Sequence, residues 1–215
     1  MTAFVQEGAL WTYTQNNGKF AQVFDFRKAA KGDFRDSRTK HDIKLLSVED
    51  DGDVNFMVYG YMNRGNHEGY CGAGIYHYNH DQNVVEEKVF IPTTESFEFL
   101  KSDLGTLSYV NKKNQLFLLL SGSLYQINID DSEYKVLAEN IDSNQFAVSE
   151  TNAHAAWRIV DGEQTGQIEY IDFDSLKTRN DTPDASQQFR VLGFMNEDLI
   201  YGNVLDGDSL TDENG

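Results

Sequence analysis

One short pattern occurs three times in this chain, and no other feature restricts its fold as much. The copies are Ile75-Tyr-His-Tyr-Asn-His-Asp81, Leu124-Tyr-Gln-Ile-Asn-Ile-Asp130 and Ile168-Glu-Tyr-Ile-Asp-Phe-Asp174. Each opens on an apolar residue. Each has Asn or Asp two places before its final Asp, and a large apolar or aromatic residue three places before it. The final aspartates lie 49 and 44 residues apart. A looser copy, Phe20 to Phe26, puts Asp25 in the Asn/Asp place. A fixed period of this size marks a repeat architecture whose units stack on one another.

The stretch from Gly105 to Leu137 shows the unit in its plainest form. Leu107–Val110 is an apolar run, and Asn111–Asn114 a polar turn. Leu116–Leu120 is apolar throughout, as expected of a strand buried on both faces. Ser121-Gly-Ser123 turns the chain. Leu124–Ile129 alternates, with Tyr125, Ile127 and Ile129 on one face. After Asp130-Asp-Ser132 comes a last strand, Tyr134–Leu137. Four strands joined by short turns make an antiparallel meander.

Units of about 40 to 50 residues with four strands each predict an all-β chain, a β-propeller of four-stranded antiparallel blades. Whole blades are expected at 43–91, 105–137 and 145–180, with half-blades at 10–26 and 190–204. Two readings of the half-blades stay open. The ends complete one shared blade, or the chain is a partial propeller. The second is favoured, because most closed propellers exceed four blades.

Charge and composition narrow the function. The 35 acidic and 18 basic residues leave a net charge of −17, which argues against nucleic acid as a partner. A single cysteine, Cys71, rules out an internal disulfide. No apolar run reaches the ~18 residues of a membrane span. The N-terminal Met1–Glu7 lacks the basic start and apolar core of a signal peptide.

The outer-strand segments Ile171-Asp-Phe-Asp-Ser-Leu-Lys-Thr178 and Gly122-Ser-Leu-Tyr-Gln-Ile-Asn128 carry a family resemblance. They resemble the repeats of bacterial β-propellers of the TolB-like and dipeptidyl-peptidase N-terminal type. The chain is also similar to uncharacterised propeller domains of Gram-positive surface proteins. The resemblance implies a propeller fold and an extracellular or cell-envelope location. It carries over no catalytic residue: sialidase boxes, Trp-Asp repeat endings and the Gly-x-Ser-x-Gly elbow are all missing from the sequence.

In a propeller the second-to-third strand turns and the blade links share the face that usually binds ligands. The first whole blade has an insertion there, Asn63–Gly74, with four glycines. Arg64, Asn66, His67, Glu68 and Tyr70 are the candidate ligand contacts. Trp11, Tyr70 and Trp157 would stack on sugars where exposed. His67, Cys71, His77 and His80 are zinc-type ligands, but an i, i+3 pair on a strand points to opposite faces. Asp206, Asp208 and Asp212 have oxygen spacing that can hold Ca²⁺, as has Glu49–Asp53, without the bidentate Glu of an EF-hand. No other cofactor is expected. Arg27–Lys40 gathers six of the eighteen basic residues.

The sequence therefore predicts a non-catalytic propeller scaffold with a protein or glycan partner. A hydrolase or hydrolase-accessory propeller acting on glycans or peptides is the alternative.

Overall fold

The structure is a computed structural model that describes residues 1–15, 18–26, 41–160, 162 and 166–205. Among the described residues five antiparallel sheets follow one another. The first holds β1 (Thr2–Gln6), β2 (Ala9–Thr14) and β3 (Lys19–Asp25). The second holds β4 (His41–Val48), β5 (Val54–Tyr61), β6 (Cys71–Asn79) and β7 (Val84–Thr93). A helix, α1 (Phe97–Thr106), leads to the third: β8 (Ser108–Val110), β9 (Gln115–Leu120), β10 (Ser123–Asn128) and β11 (Glu133–Ala138). The fourth holds β12 (Phe146–Val148), β13 (His154–Arg158), β14 (Ile168–Asp172) and β15 (Lys177–Asp181). The fifth is a hairpin of β16 (Gln187–Met195) and β17 (Asp198–Leu205). Strand order is sequential in every sheet, so the chain is an all-β run of propeller-type meander blades. Among the described residues no helix is long and apolar enough to cross a membrane.

The second strand of each four-stranded sheet is buried on both faces. Val54–Gly60, Leu116–Leu120 and Ala155–Trp157 are buried without a break. Burying five side chains such as Leu116–Leu120 contributes roughly 10 kcal/mol of gross transfer free energy. Each face belongs to a different interface. Leu116, Leu118 and Leu120 pack on Met57, Ile75, Val89 and Ile91 of the second sheet. Phe117 and Leu119 pack on Trp157, Ile171 and Phe173 at the fourth. Ala156 and Ile168 meet Val191 of the fifth sheet, and Leu10 and Ala3 of the first meet Phe56 and Val58. The four buried clusters thus join each sheet to its neighbours in sequence.

The recurring sequence pattern now has a physical cause. Its large residue, Tyr78, Ile127 or Ile171, is a buried core position. Its Asn or Asp forms the turn that follows. Asn79 Oδ1 accepts from Gln82 N at 2.8 Å, Asn128 Oδ1 from Asp130 N at 3.2 Å, and Asp172 Oδ1 from Asp174 N at 2.9 Å. These are side-chain mimics of a backbone turn, open only to short polar residues.

Buried amides tie the sheets together. Asn55, with no exposed surface, puts Nδ2 within 3.1 Å of Ser47 Oγ, Glu49 Oε1 and, across the interface, Asn114 Oδ1. Its Oδ1 lies 2.8 Å from His77 Nδ1. Asn111 donates to Phe173 O at 2.9 Å, joining the third sheet to the fourth. Gln145 Oε1 accepts from Val191 N at 3.2 Å, joining the fourth to the fifth.

Two elements depart from the sequence expectation. β1 adds a third strand to the first sheet, where the sequence pattern predicts only two. It closes on β2 through Glu7 and Gly8, both left-handed (φ 51° and 70°), as a two-residue hairpin requires. The link between the second and third sheets contains α1, whose Leu100 and Leu104 are buried in the interface between those sheets. Tyr59 stacks on Phe97, with ring centroids 5.9 Å apart. Lys44 Nζ donates to Leu104 O at 2.6 Å, at the helix C-terminus.

Asn55→Leu is expected to cost about 2 kcal/mol, because it strands polar groups on two sheets. Urea unfolding checks this: the midpoint falls while the slope stays constant.

Candidate binding loop and its supports

The segment chosen from the sequence divides in two. Cys71–Gly74 belongs to β6, so the loop itself is Met62–Tyr70. Two backbone bonds close it, Met62 N to Tyr70 O and Gly69 N to Met62 O, both 2.8 Å. Gly69 sits at φ 94°, where a side chain would be strained. Met62 anchors the loop in the core at 1% exposure.

Below the loop lies a stack that the sequence did not reveal. The His67 ring lies flat on Phe90, with centroids 3.9 Å apart and planes 9° apart. His67 Nε2 is 2.7 Å from Glu87 Oε1, and Tyr76 donates to Glu87 Oε2 at 2.7 Å. Burial, and then the hydrogen bond to Glu87, push the Tyr76 phenol well above its ordinary pKa. Gly72 and Gly74 make room for these rings. A Cβ on Gly72 would meet Ile91 O at 2.4 Å and Phe90 Cζ at 2.7 Å, and one on Gly74 would meet the Tyr76 ring at 2.9 Å.

The predicted contact residues therefore play different parts. His67 is a support, held by Glu87 and Phe90. The Arg64 guanidinium lies 6.0 Å from the Phe26 ring centroid, and its Nε donates to Asn63 Oδ1. Asn66, Glu68 and Tyr70 are exposed, Tyr70 at 61%. The loop shares its end of the sheets with the start of α1 and the β9–β10 turn. Cys71 Sγ approaches Glu95 O at 3.6 Å, and Thr93 Oγ1 lies 2.7 Å from Ser121 Oγ. Burial raises the Cys71 thiol pKa, the direction away from a reactive thiolate.

A second loop, in the fourth sheet, is closed in the same way. Ile159–Gln167 also has nine residues, closed by Ile159 N to Gln167 O at 2.9 Å and Gly166 N to Ile159 O at 2.8 Å. Gly166 takes φ 88°, in the place of Gly69. Residues 161 and 163–165 of that loop lie outside the described residues. The signal was available in the sequence as a glycine seven residues after Met62 and after Ile159.

The other sequence candidates separate. His77 bridges Asn55 and Asp53, and Asp53 also accepts from Asn79 Nδ2 and His80 N, so the Glu49–Asp53 turn spends its inner carboxylate on the fold. Among the described residues no group of three His, Cys, Asp or Glu side chains is placed to hold a metal ion. Asp206, Asp208 and Asp212 lie outside the described residues, as does Arg27–Lys40. Trp157 is 4% exposed and stacks on Phe146, which removes it as a sugar platform. Trp11 is half-buried beside Gln6, Glu7, Ala9 and Gln22.

His154 joins a cross-sheet clamp. Its Nδ1 lies 2.8 Å from Glu197 Oε2, and Thr151 N donates to Glu197 Oε1 at 3.2 Å. Hydrogen bonds from Ser149 first, then from His154 and Thr151, hold the Glu197 carboxyl down at about 2. A depressed carboxyl stabilises the fold above its unfolded value near 4.5 and loses that contribution as pH falls toward about 2. Thermal melts from pH 5 to pH 2 are therefore expected to converge for wild type and Glu197→Gln at the acid end, with wild type the more stable near pH 5.

Gly72→Ala should cost about 1–3 kcal/mol by forcing Phe90 off its seat. Denaturant unfolding measures the loss, and a shift of the His67 ring resonances reports the moved platform.

No family model matches the sequence, and no curated protein does. Solved structures with partial similarity include Porphyromonas gingivalis dipeptidyl peptidase 4, at 10% identity and a TM-score of 0.41 over 94% of this chain and 34% of that one. TolB from Acinetobacter baumannii is 12% identical, with a TM-score of 0.39 over 85% of this chain and 40% of that one. The tricorn protease is 12% identical, with a TM-score of 0.32 over 88% of this chain and 21% of that one. This chain spans at most 40% of the length of each of the three.

Proposed function

We propose that this chain is a non-catalytic propeller-type scaffold that binds a protein or glycan through Met62–Tyr70, as part of a secreted or cell-envelope protein of a bacterium. The observation that carries the reading is Tyr70. It is 61% exposed, on a loop whose base is pinned by the His67–Glu87 contact and the Phe90 ring. A large aromatic presented on a fixed base contributes contact area with little loss of conformational freedom on binding. Asn66 and Glu68 beside it supply exposed polar groups suited to hydroxyls or peptide amides. The supporting carboxylate Glu87 is engaged by both His67 and Tyr76, a role in holding the loop rather than in proton transfer.

A glycan array followed by titration of the best hit tests this. Tyr70→Ala is expected to weaken binding about 10-fold or more while leaving Tm nearly unchanged, since Tyr70 is 61% exposed. Equal binding by wild type and Tyr70→Ala would move the site elsewhere. Turnover of a glycoside or peptide panel by the wild-type chain would favour the hydrolase alternative.

A further inference from the structure

The fifth sheet breaks the pattern of the three before it. Those have four strands each; among the described residues β16 and β17 form a sheet of two, and no strand pairs with the outer edge of β17. The edge is eight residues long and presents a row of unpaired backbone groups. Exposed apolar side chains concentrate on the same hairpin: Leu192 at 68%, Met195 at 63%, Leu205 at 52% and Ile200 at 41%. Apolar surface lies on both faces. Leu199 packs toward the fourth sheet, while Leu192 lies across Gly202, its Cδ1 3.6 Å from where a Cβ would sit. A two-stranded sheet in water is marginal on its own, and this one is held by Val191 and its neighbours on one face only.

We propose that the outer edge of β17 is completed by a two-stranded antiparallel hairpin of polypeptide from outside these 215 residues, its inner strand paired antiparallel with β17. The chain itself indicates the chemistry of that hairpin. In the third and fourth sheets the strand at this place, β10 or β14, buries an apolar residue on each face, Leu124 and Ile127 or Ile168 and Ile171. An Asn or Asp turn follows, and then an outer strand, β11 or β15, that is mostly exposed. The incoming hairpin has the same form: a strand with an apolar residue on each face, an Asx turn and an exposed outer strand. A second copy of this chain fits poorly. Pairing β17 with its own copy about a two-fold axis keeps both fourth sheets on one face of the joined sheet, and each is already four strands wide.

Hydrogen exchange on the 215-residue chain tests the proposal. The probe is a synthetic peptide of residues 167–182, this chain's own β14–turn–β15, with a scrambled peptide as control. In the free chain, β17 amides not bonded to β16 are expected to exchange about 100-fold faster than those of β13. The peptide at about 1 mM should slow them about 10-fold, and the scrambled peptide should not. The proposal is overturned if β17 is as protected as β13 in the free chain. It is equally overturned if the peptide leaves exchange unchanged, or if protection rises with protein concentration alone, which would make a second copy the occupant.

Discussion

Two-sided burial of the second strands is the constraint on which the structure depends. Leu116–Leu120 cannot be satisfied by one sheet, because alternate residues point in opposite directions. Leu118 needs the second sheet and Phe117 needs the fourth. Each meander is therefore incomplete alone, and stability accumulates interface by interface along the series. The buried amides Asn55, Asn111 and Gln145 add direction to this. Each bonds to a group on the next sheet, so a sheet that slid or rotated on its neighbour would leave a buried donor or acceptor unpaired.

The same constraint explains where the chain has freedom. The turns at the sheet ends lie outside the paired strands, and there the units differ most. Between β9 and β10 two residues suffice, Ser121 and Gly122, both left-handed. Between β5 and β6 nine residues fold on themselves, with Met62 as the only one drawn deep into the core beside buried Asn63. The glycines of β6 serve that loop indirectly. By giving up side chains, Gly72 and Gly74 let Phe90 and Tyr76 lie across the strand, and those rings with Glu87 support His67.

Much of the fold was legible because it rests on local pattern. The alternation of Leu124–Ile129 and the unbroken apolar run of Leu116–Leu120 predicted the strands at those places. β1 was missed because its turn, Glu7-Gly8, lacks the usual Asn or Asp before the glycine. The helix α1 was missed for a different reason. Its apolar spacing, Phe97, Leu100 and Leu104, is helical, but it is only ten residues long and lies between strong strand signals. The candidate site was legible only as a place. Its glycines and polar residues marked a loop, yet Arg64, Asn66, His67, Glu68 and Tyr70 could not be sorted, since their supports, Phe90 and Glu87, lie on β7 some twenty residues away.

The sequence by itself determined the unit: a four-stranded meander, repeated, with an Asn or Asp where each third strand turns. Those features depend on residues close together in the chain, where alternation and side-chain turns act directly on the backbone. Only the tertiary structure decided which exposed residues are free to meet a partner. His67 and Tyr70 look equivalent in sequence, three residues apart on one polar loop. The fold covers one with Glu87 and Phe90 and leaves the other in solvent, because which side chain finds a partner depends on the strand two positions over in the sheet.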